Sequence, residues 1–153
     1  MVTVQITNHV EGLPVEAPKL KKLVRTVCRQ FGVTQARVSI GIVGDAEIGA
    51  LNEQFLQHQG PTDCLSFDLT DGTEPEGTKV FDLIVNGELA VREAARRGHE
   101  AQAELALYIT HGLLHQLGFD DATVAEAEQM HRTEDEILLH LGYGRVYNGG
   151  RQA

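Results

Sequence analysis

The run from His111 to Asp121, His-Gly-Leu-Leu-His-Gln-Leu-Gly-Phe-Asp-Asp, constrains the fold and chemistry of this chain more than any other stretch. Two histidines four residues apart on a helix differ by about 40° of rotation and about 6 Å of rise, so both imidazoles leave the same face. Gly118 can adopt the left-handed conformation that ends a helix and reverses the chain. The turn then delivers Asp121 beside the rings of His111 and His115, and these three side chains form a candidate metal site.

The same geometry, H-x-x-x-H-x-x-G-x-x-(H or D), closes the metal site of the metzincin peptidases, which carry a glutamate directly after the first histidine as general base. This chain has Gly112 at that position, so the base is absent. A histidine pair on an apolar helix is by itself more often structural. The glycine and the carboxylate that follow favour a metal site here.

Length and charge limit the class of protein. A chain of 153 residues fits one domain with a core that needs no disulfides. The first residues lack the basic and apolar regions of a signal peptide, and no stretch approaches the roughly 18 apolar residues of a membrane span, so we expect a soluble cytoplasmic protein without a membrane partner. The net charge of -9 disfavours unspecific binding to a polyanion, although it leaves room for a local basic face. Cys28 and Cys64 stand in apolar patterns and are predicted to be buried, reduced thiols.

The hydropathy pattern predicts the element order β-α-β-α-β-β-α-α-α, and therefore a single α+β domain with a mixed four-stranded sheet. The two consecutive strands in the middle are predicted to pair antiparallel. The metal site lies on the long central helix and the turn after it. We expect the domain to span residues 1–147 and residues 148–153 to form a disordered tail. The predicted strands are 2–6, 38–43, 64–69 and 79–85, and the predicted helices run to about 31, then 46–56, 88–98, from 100, and 124–141.

Several side chains have a predicted environment. Phe55 belongs to the predicted inward face of the second helix, with Ile48 and Leu51. Glu104, two turns before the histidines, is predicted to be an exposed acid, with a role as an outer partner of the site as the alternative. His131 and His140 have no ligand spacing to the motif and are predicted to lie on the surface.

Three blocks of sequence together resemble the YbeY family, metal-dependent endoribonucleases linked to ribosomal RNA maturation. The family run H-G-x-L-H-x-x-G-(Y or F)-D-H matches residues 111–120 and differs only in having Asp121 for the last histidine. Leu51-Asn52 followed by Pro61-Thr62-Asp63-Cys64-Leu65-Ser66-Phe67 is similar to the family's L-N-x-x-(Y or F)-R and P-T-D-V-L-S-F. Residues 134–138 with Leu141-Gly142 are similar to its last helix.

The resemblance implies a single-strand-specific endoribonuclease, a hydrolase of phosphodiester bonds, whose partner is ribosomal RNA or a ribosomal subunit and not DNA. It implies one zinc ion, with nickel or another first-row divalent ion as alternatives, held by His111, His115 and Asp121. An activated water molecule attacks the phosphodiester, and no residue is identified as general base. RNA would be held by basic residues of the first or third helix, for which a solvated surface is the simpler interpretation. These residues are Lys22, Arg25, Arg29, Arg96 and Arg97.

Two further departures from the family pattern bear on activity. Leu56 stands where the family has an arginine near the metal, and Phe81 stands where a glycine usually precedes Asp82-Leu83. Because leucine cannot offset the negative charge of a phosphoryl transition state, an RNA- or ribosome-binding factor with a structural metal is the alternative function. A peptidase is a third hypothesis, which Gly112 disfavours.

Overall fold

A computed structural model of the chain describes residues 1–144 and 146–149. The elements are β1 (Val2–Asn8), α1 (Ala17–Gln30), β2 (Ala36–Val43), α2 (Asp45–Leu56), β3 (Cys64–Asp68), β4 (Lys79–Asn86), α3 (Gly87–Arg97), α4 (Ala101–Gln116), α5 (Val124–His140) and α6 (Val146–Gly149).

The four strands form one mixed sheet in the order β1-β2-β4-β3. β2 pairs parallel with both β1 and β4, with Val38 opposite Val4 on one side and Phe81 on the other. β3 pairs antiparallel with β4, with Leu65 opposite Ile84. The predicted α+β class, the mixed sheet and the antiparallel pair are therefore confirmed.

The main core lies between one face of the sheet and helices α1 and α4. Strand residues alternate between the two faces of a sheet, so one side of β2 and β4 is apolar and fully buried. α1 and α4 each contribute an apolar stripe at helical spacing. The residues that carry this core include Leu20, Leu23, Val27, Val38, Ile40, Phe81, Leu83, Leu105, Ile109 and Leu113. None of the helices among the described residues has the length and apolar character needed to cross a membrane.

A smaller core lies on the opposite face of the sheet, beneath α2. Its buried members are Val43, Ile48 and Leu65. Phe55, predicted to face inward, is 57% exposed, and its ring only meets Phe67 edge-on at 6.0 Å. The prediction for Phe55 is wrong because the buried residues of α2, Ile48 and Asn52, come earlier in the helix, and residues 53–56 of its last turn are exposed.

Gly112 lies where α4 packs tightly against the sheet. A Cβ atom at this position would lie 2.7 Å from Cys64 Sγ and 3.2 Å from Leu83 Cδ2. Both distances are shorter than van der Waals contact, so only glycine permits this helix to sit so close to β3 and β4. Cys64 and Cys28 are free thiols, and Cys28 is buried as predicted, whereas Cys64 is only half-buried. Burial raises the pKa of both thiols.

The end of the chain is described only in part. Asn148 and Gly149 complete the short helix α6. The predicted disordered tail begins at residue 148, so it is wrong for residues 148 and 149; residues 150–153 lie outside the described residues, and their disorder remains a prediction.

Candidate metal centre

The last turns of α4 and the loop after it bring together the three predicted ligand residues. His111 Nε2 and His115 Nε2 lie 3.2 Å apart on one helix face. α4 ends at Gln116, Gly118 reverses the chain with a φ of 102°, and the Phe119 amide donates back to the Leu114 carbonyl. Asp121 Oδ2 consequently lies 3.8 Å from His111 Nε2 and 3.6 Å from His115 Nε2.

These distances fit a metal ion of the size of zinc. With metal–ligand bonds of about 2.0–2.1 Å in a tetrahedral site, neighbouring ligand atoms lie about 3.3 Å apart. The three atoms therefore form roughly one face of a tetrahedron, and all lie within 4.8 Å of one another. Asp121 is 41% exposed, which leaves the remaining position open to solvent. Two imidazole nitrogens and a carboxylate oxygen suit zinc and other first-row divalent ions.

Both histidine rings are oriented through their Nδ1 atoms. His111 Nδ1 lies 2.6 Å from Oε2 of Glu134, a fully buried residue of α5. His115 Nδ1 lies 3.2 Å from the carbonyl oxygen of Phe119, which the turn at Gly118 brings into place. Each ring thus presents Nε2 towards the same point, the arrangement in which a second partner orients a ligating histidine.

The electrostatic environment of this point favours positive charge. Burial on its own lowers the pKa of His111, but the hydrogen bond to Glu134 opposes it, as do the negative charges of Glu134, Asp63 and Asp121. The net result is a raised pKa for His111. An excess of acidic groups that stabilises a proton here would also stabilise a cation.

Asp120 is turned away from this point. Its Oδ1 accepts a hydrogen bond from the backbone amide of Asp121 at 2.8 Å, which holds the turn. The N-terminus of α5 is capped instead by Thr123, in a capping box with Glu126.

Glu134 and His131 are the residues of this region that the sequence interpretation missed. His131 Nδ1 lies 2.7 Å from Oε1 of Glu134, and its ring stacks on Tyr147 with centroids 3.6 Å apart. The prediction of a surface position for His131 is wrong, since its side chain is only 21% exposed, whereas His140 is exposed as predicted. The i, i+3 spacing of His131 and Glu134 on one helix face was the available signal.

His111, His131 and Glu134 also lie close enough together to be considered as a second ligand set. However, the contacts of 2.6 Å and 2.7 Å between the ring nitrogens and the carboxylate are hydrogen-bond lengths. A metal ion between such atoms, with bonds of about 2 Å to each, would hold them roughly 3 Å apart or more. These contacts therefore place a proton between each pair.

Arg97 is built into the interior and is not available to RNA, so this prediction is wrong. Its side chain is 10% exposed, and Nη1 pairs with Glu104 Oε1 at 3.0 Å. It also donates to the carbonyl oxygens of Val146, at 2.8 Å, and Tyr147. Glu104 is fully buried and not an exposed acid as predicted, because Arg97 compensates its charge and His99 Nε2 lies within hydrogen-bond distance of Oε1, at 2.6 Å.

The other predicted RNA-binding residues lie on the surface. Lys22, Arg25 and Arg29 are exposed on α1, and Arg25 Nε donates to the carbonyl oxygen of Val2 at 3.2 Å. Arg96 is 70% exposed and pairs with Glu93 at 2.6 Å.

The two departures from the family pattern occupy different environments. Leu56 is 46% exposed at the end of α2. Phe81 is buried in the main core, where its ring fills space that a glycine would leave to other side chains.

Fold and site together define an α+β protein whose ligand set is of the kind found in metal-dependent hydrolases. The sequence pattern of the family described as Endoribonuclease YbeY matches residues 5–142. The chain belongs to the endoribonuclease YbeY family, a family of nucleases, which confirms the resemblance found in the sequence.

Individual relatives agree over nearly the full length. The Endoribonuclease YbeY of Nocardioides sp. is 33% identical over 144 residues, which cover 90% of this chain and 96% of the relative. That of Beutenbergia cavernae is 36% identical over 151 residues, covering 94% of this chain and 100% of the relative. The solution structure of TM1509 from Thermotoga maritima matches with a TM-score of 0.58 at 20% identity, covering 99% of this chain and 97% of that one, and it supports the fold.

Proposed function

We propose that this chain is a zinc-dependent endoribonuclease that hydrolyses phosphodiester bonds of single-stranded RNA in the cytoplasm, during processing of ribosomal RNA. The observation that carries the proposal is the convergence of His111 Nε2, His115 Nε2 and Asp121 Oδ2 on one solvent-open point. Membership of the endoribonuclease YbeY family supports RNA as the substrate class.

Each residue has a definite part in this proposal. His111 and His115 supply neutral nitrogen ligands, and Asp121 supplies an anionic oxygen. When bound, the ion contributes Lewis-acid polarisation of a phosphodiester oxygen and activation of a water molecule. Because Asp121 carries a charge that a third histidine would not, the site has one positive charge fewer than an all-histidine site, and we expect slower hydrolysis near neutral pH.

The basic face of α1, formed by Lys22, Arg25 and Arg29, is the proposed surface for the RNA backbone. The end of α1 lies near the loop that carries Asp121, since Phe31 just after the helix packs edge-on against Phe119 with ring centroids 5.4 Å apart. We propose that single-stranded RNA bound on this face runs past the end of α1 towards the turn between His115 and Asp121. Binding through phosphate contacts of this kind should weaken as the salt concentration rises.

The structure argues against a peptidase. A glutamate at position 112 would place its Cβ at the same 2.7 Å from Cys64 Sγ, so the base of the metzincin peptidases has no room here. Among the three proposed ligand residues, we infer none that acts as general base in place of that glutamate.

The decisive experiment is metal analysis of protein purified without added metal, combined with cleavage of single-stranded RNA before and after treatment with a chelator. We expect about one zinc ion per chain, cleavage that the chelator abolishes, and restoration by added zinc. His111→Ala should remove both metal and cleavage, whereas the exposed His140→Ala serves as matched control. Binding of RNA without cleavage by the zinc-loaded chain would instead support the RNA-binding factor with a structural metal.

A further inference from the structure

Glu134 is a buried carboxylate whose two oxygens lie within hydrogen-bond distance of two different imidazoles. Its side chain is fully inaccessible, with Oε2 lying 2.6 Å from His111 Nδ1 and Oε1 lying 2.7 Å from His131 Nδ1. The two rings lie nearly parallel, 14° apart in orientation, with centroids separated by 6.2 Å. Both carboxylate oxygens are therefore occupied by histidine nitrogens.

This arrangement determines which nitrogen of each ring carries the proton. An ionised carboxylate can only accept hydrogen bonds, so Nδ1 of both rings must donate. In a neutral imidazole the other nitrogen, Nε2, then has a free lone pair. For His111 this lone pair points towards His115 Nε2 and Asp121 Oδ2.

We propose that Glu134 is a positioning residue that fixes the tautomer of His111 in which Nε2 is free to bind a metal ion. His131 donates a second hydrogen bond to the same carboxylate. The part that concerns metal affinity rests on the function proposed above. The part that concerns the tautomer is a property of the metal-free chain.

Because Glu134 accepts hydrogen bonds from two histidine rings, glutamine is an informative replacement. A glutamine side chain offers one acceptor oxygen and one donor NH2 group, so Glu134→Gln can accept from only one of the two Nδ1–H groups. The other ring faces an NH2 group, must accept at Nδ1, and then carries its proton on Nε2. Whenever that ring is His111, its metal-binding lone pair is lost.

The first test needs no substitution. Nitrogen-15 NMR of the histidine rings in the metal-free protein reports the tautomer of each ring, at a pH high enough that the ring signals no longer change with pH and both rings are neutral. We expect His111 and His131 both to carry the proton on Nδ1. A proton on Nε2 of His111 would overturn the proposal.

The second test uses zinc affinity, measured against a competing chelator. Glu134→Gln should weaken zinc binding about ten- to a hundredfold, the usual effect of losing the outer partner of a ligating histidine. Adding His131→Phe keeps an aromatic ring against Tyr147 and removes the second imidazole that bonds to the side chain at position 134. The glutamine oxygen can then accept a hydrogen bond from His111 Nδ1 again. We therefore expect the double variant to bind zinc more tightly than Glu134→Gln alone.

A merely structural role for Glu134 predicts the opposite order, because the second substitution would add damage to the first. Glu136→Gln, at an exposed position of the same helix, is the matched control and should leave zinc affinity unchanged. If zinc binds normally to Glu134→Gln, the positioning role fails while the proposed function stands. If the wild-type rings show the expected tautomers but zinc does not bind, the proposed function fails and the tautomer assignment stands.

Discussion

Asp120 and Asp121 are adjacent carboxylates that the turn after Gly118 points in different directions. Asp121 faces the two histidines, whereas Asp120 holds the backbone of the turn. We expect Asp121→Asn to weaken zinc binding at least tenfold, because a neutral amide is a poor substitute for an anionic oxygen. Asp121→His should preserve or strengthen zinc binding, since imidazole is a good zinc ligand.

Asp120→Asn is the matched comparison for this prediction. It should lower stability more than metal affinity, because it alters the acceptor that fixes the turn. Zinc titration of the three variants against a chelator, with thermal unfolding of each, measures both quantities. Loss of zinc from Asp120→Asn with retention by Asp121→Asn would move the ligand assignment by one residue.

Leu56 is the second single residue with a direct functional prediction. Its exposed side chain at the end of α2 carries no charge that could oppose a phosphoryl transition state. Replacing it by arginine should raise the rate of RNA cleavage while leaving stability nearly unchanged, since the position is 46% exposed. The measurement is kcat on a single-stranded RNA, with Leu56→Gln as a control for length without charge. Equal rates for Leu56→Arg and the parent chain would show that the chemistry does not depend on this position.

At the scale of elements, the contact between α4 and β3 depends on the absence of a side chain at position 112. Alanine is favoured over glycine within a helix by about 1 kcal/mol, so helix propensity alone predicts that Gly112→Ala is stabilising. The 2.7 Å approach to Cys64 Sγ opposes it, and overpacking of this kind costs about 1–3 kcal/mol. We expect the steric effect to prevail and the melting temperature to fall.

The neighbouring cysteine offers a way to separate these two effects. In Gly112→Ala combined with Cys64→Ala, the space once filled by Sγ can accept the new methyl group. The double variant should be less destabilised than the sum of the two single variants, as measured by urea unfolding. Strict additivity would show that the Cys64 contact is not the source of the cost.

The sequence predicts elements well because their signals are local. The alternation in β2 and the helical stripe of α4 each lie within one segment, and their predicted bounds differ from the structure by a few residues. The convergence of His111, His115 and Asp121 was predictable for the same reason, since they fall within eleven consecutive residues.

The missed features depend on contacts between separate elements. Glu134 lies 23 positions after His111, and only the packing of α5 against α4 makes them neighbours. The sequence around Glu104 is that of an ordinary acidic residue. Its burial depends on Arg97, at the end of α3, which contacts both α4 and α6. Periodicity within one helix contains no information about which partner the next helix supplies.

At the scale of the whole molecule, Arg97 connects the end of α3 with α4 and the C-terminal helix α6. Truncating it would remove the guanidinium that compensates the charge of the fully buried Glu104. Removal of one partner from a buried ion pair costs about 3–5 kcal/mol, so Arg97→Met should lower the free energy of unfolding by an amount of that order. The neighbouring exposed pair of Arg96 and Glu93 provides the control, because Arg96→Met should change the free energy of unfolding by no more than about 1 kcal/mol.

Urea unfolding of both variants tests this difference. A loss of RNA affinity in Arg97→Met without a loss of stability would contradict the buried role and restore the original prediction of an RNA contact. Similar stabilities for the two variants would show that Glu104 is compensated by other groups.

The close contact at Gly112 also restricts the evolutionary routes open to this scaffold. A change of activity from phosphodiester to peptide hydrolysis by the metzincin route requires a carboxylate directly after the first histidine. Any side chain there collides with Cys64 and Leu83, two residues that belong to different strands. No single substitution can therefore begin that route without loss of packing. An intermediate sequence must first carry smaller side chains in place of Cys64 and Leu83. The glycine that lets the helix approach the sheet thus separates this nuclease from a class of peptidases with a similar histidine spacing.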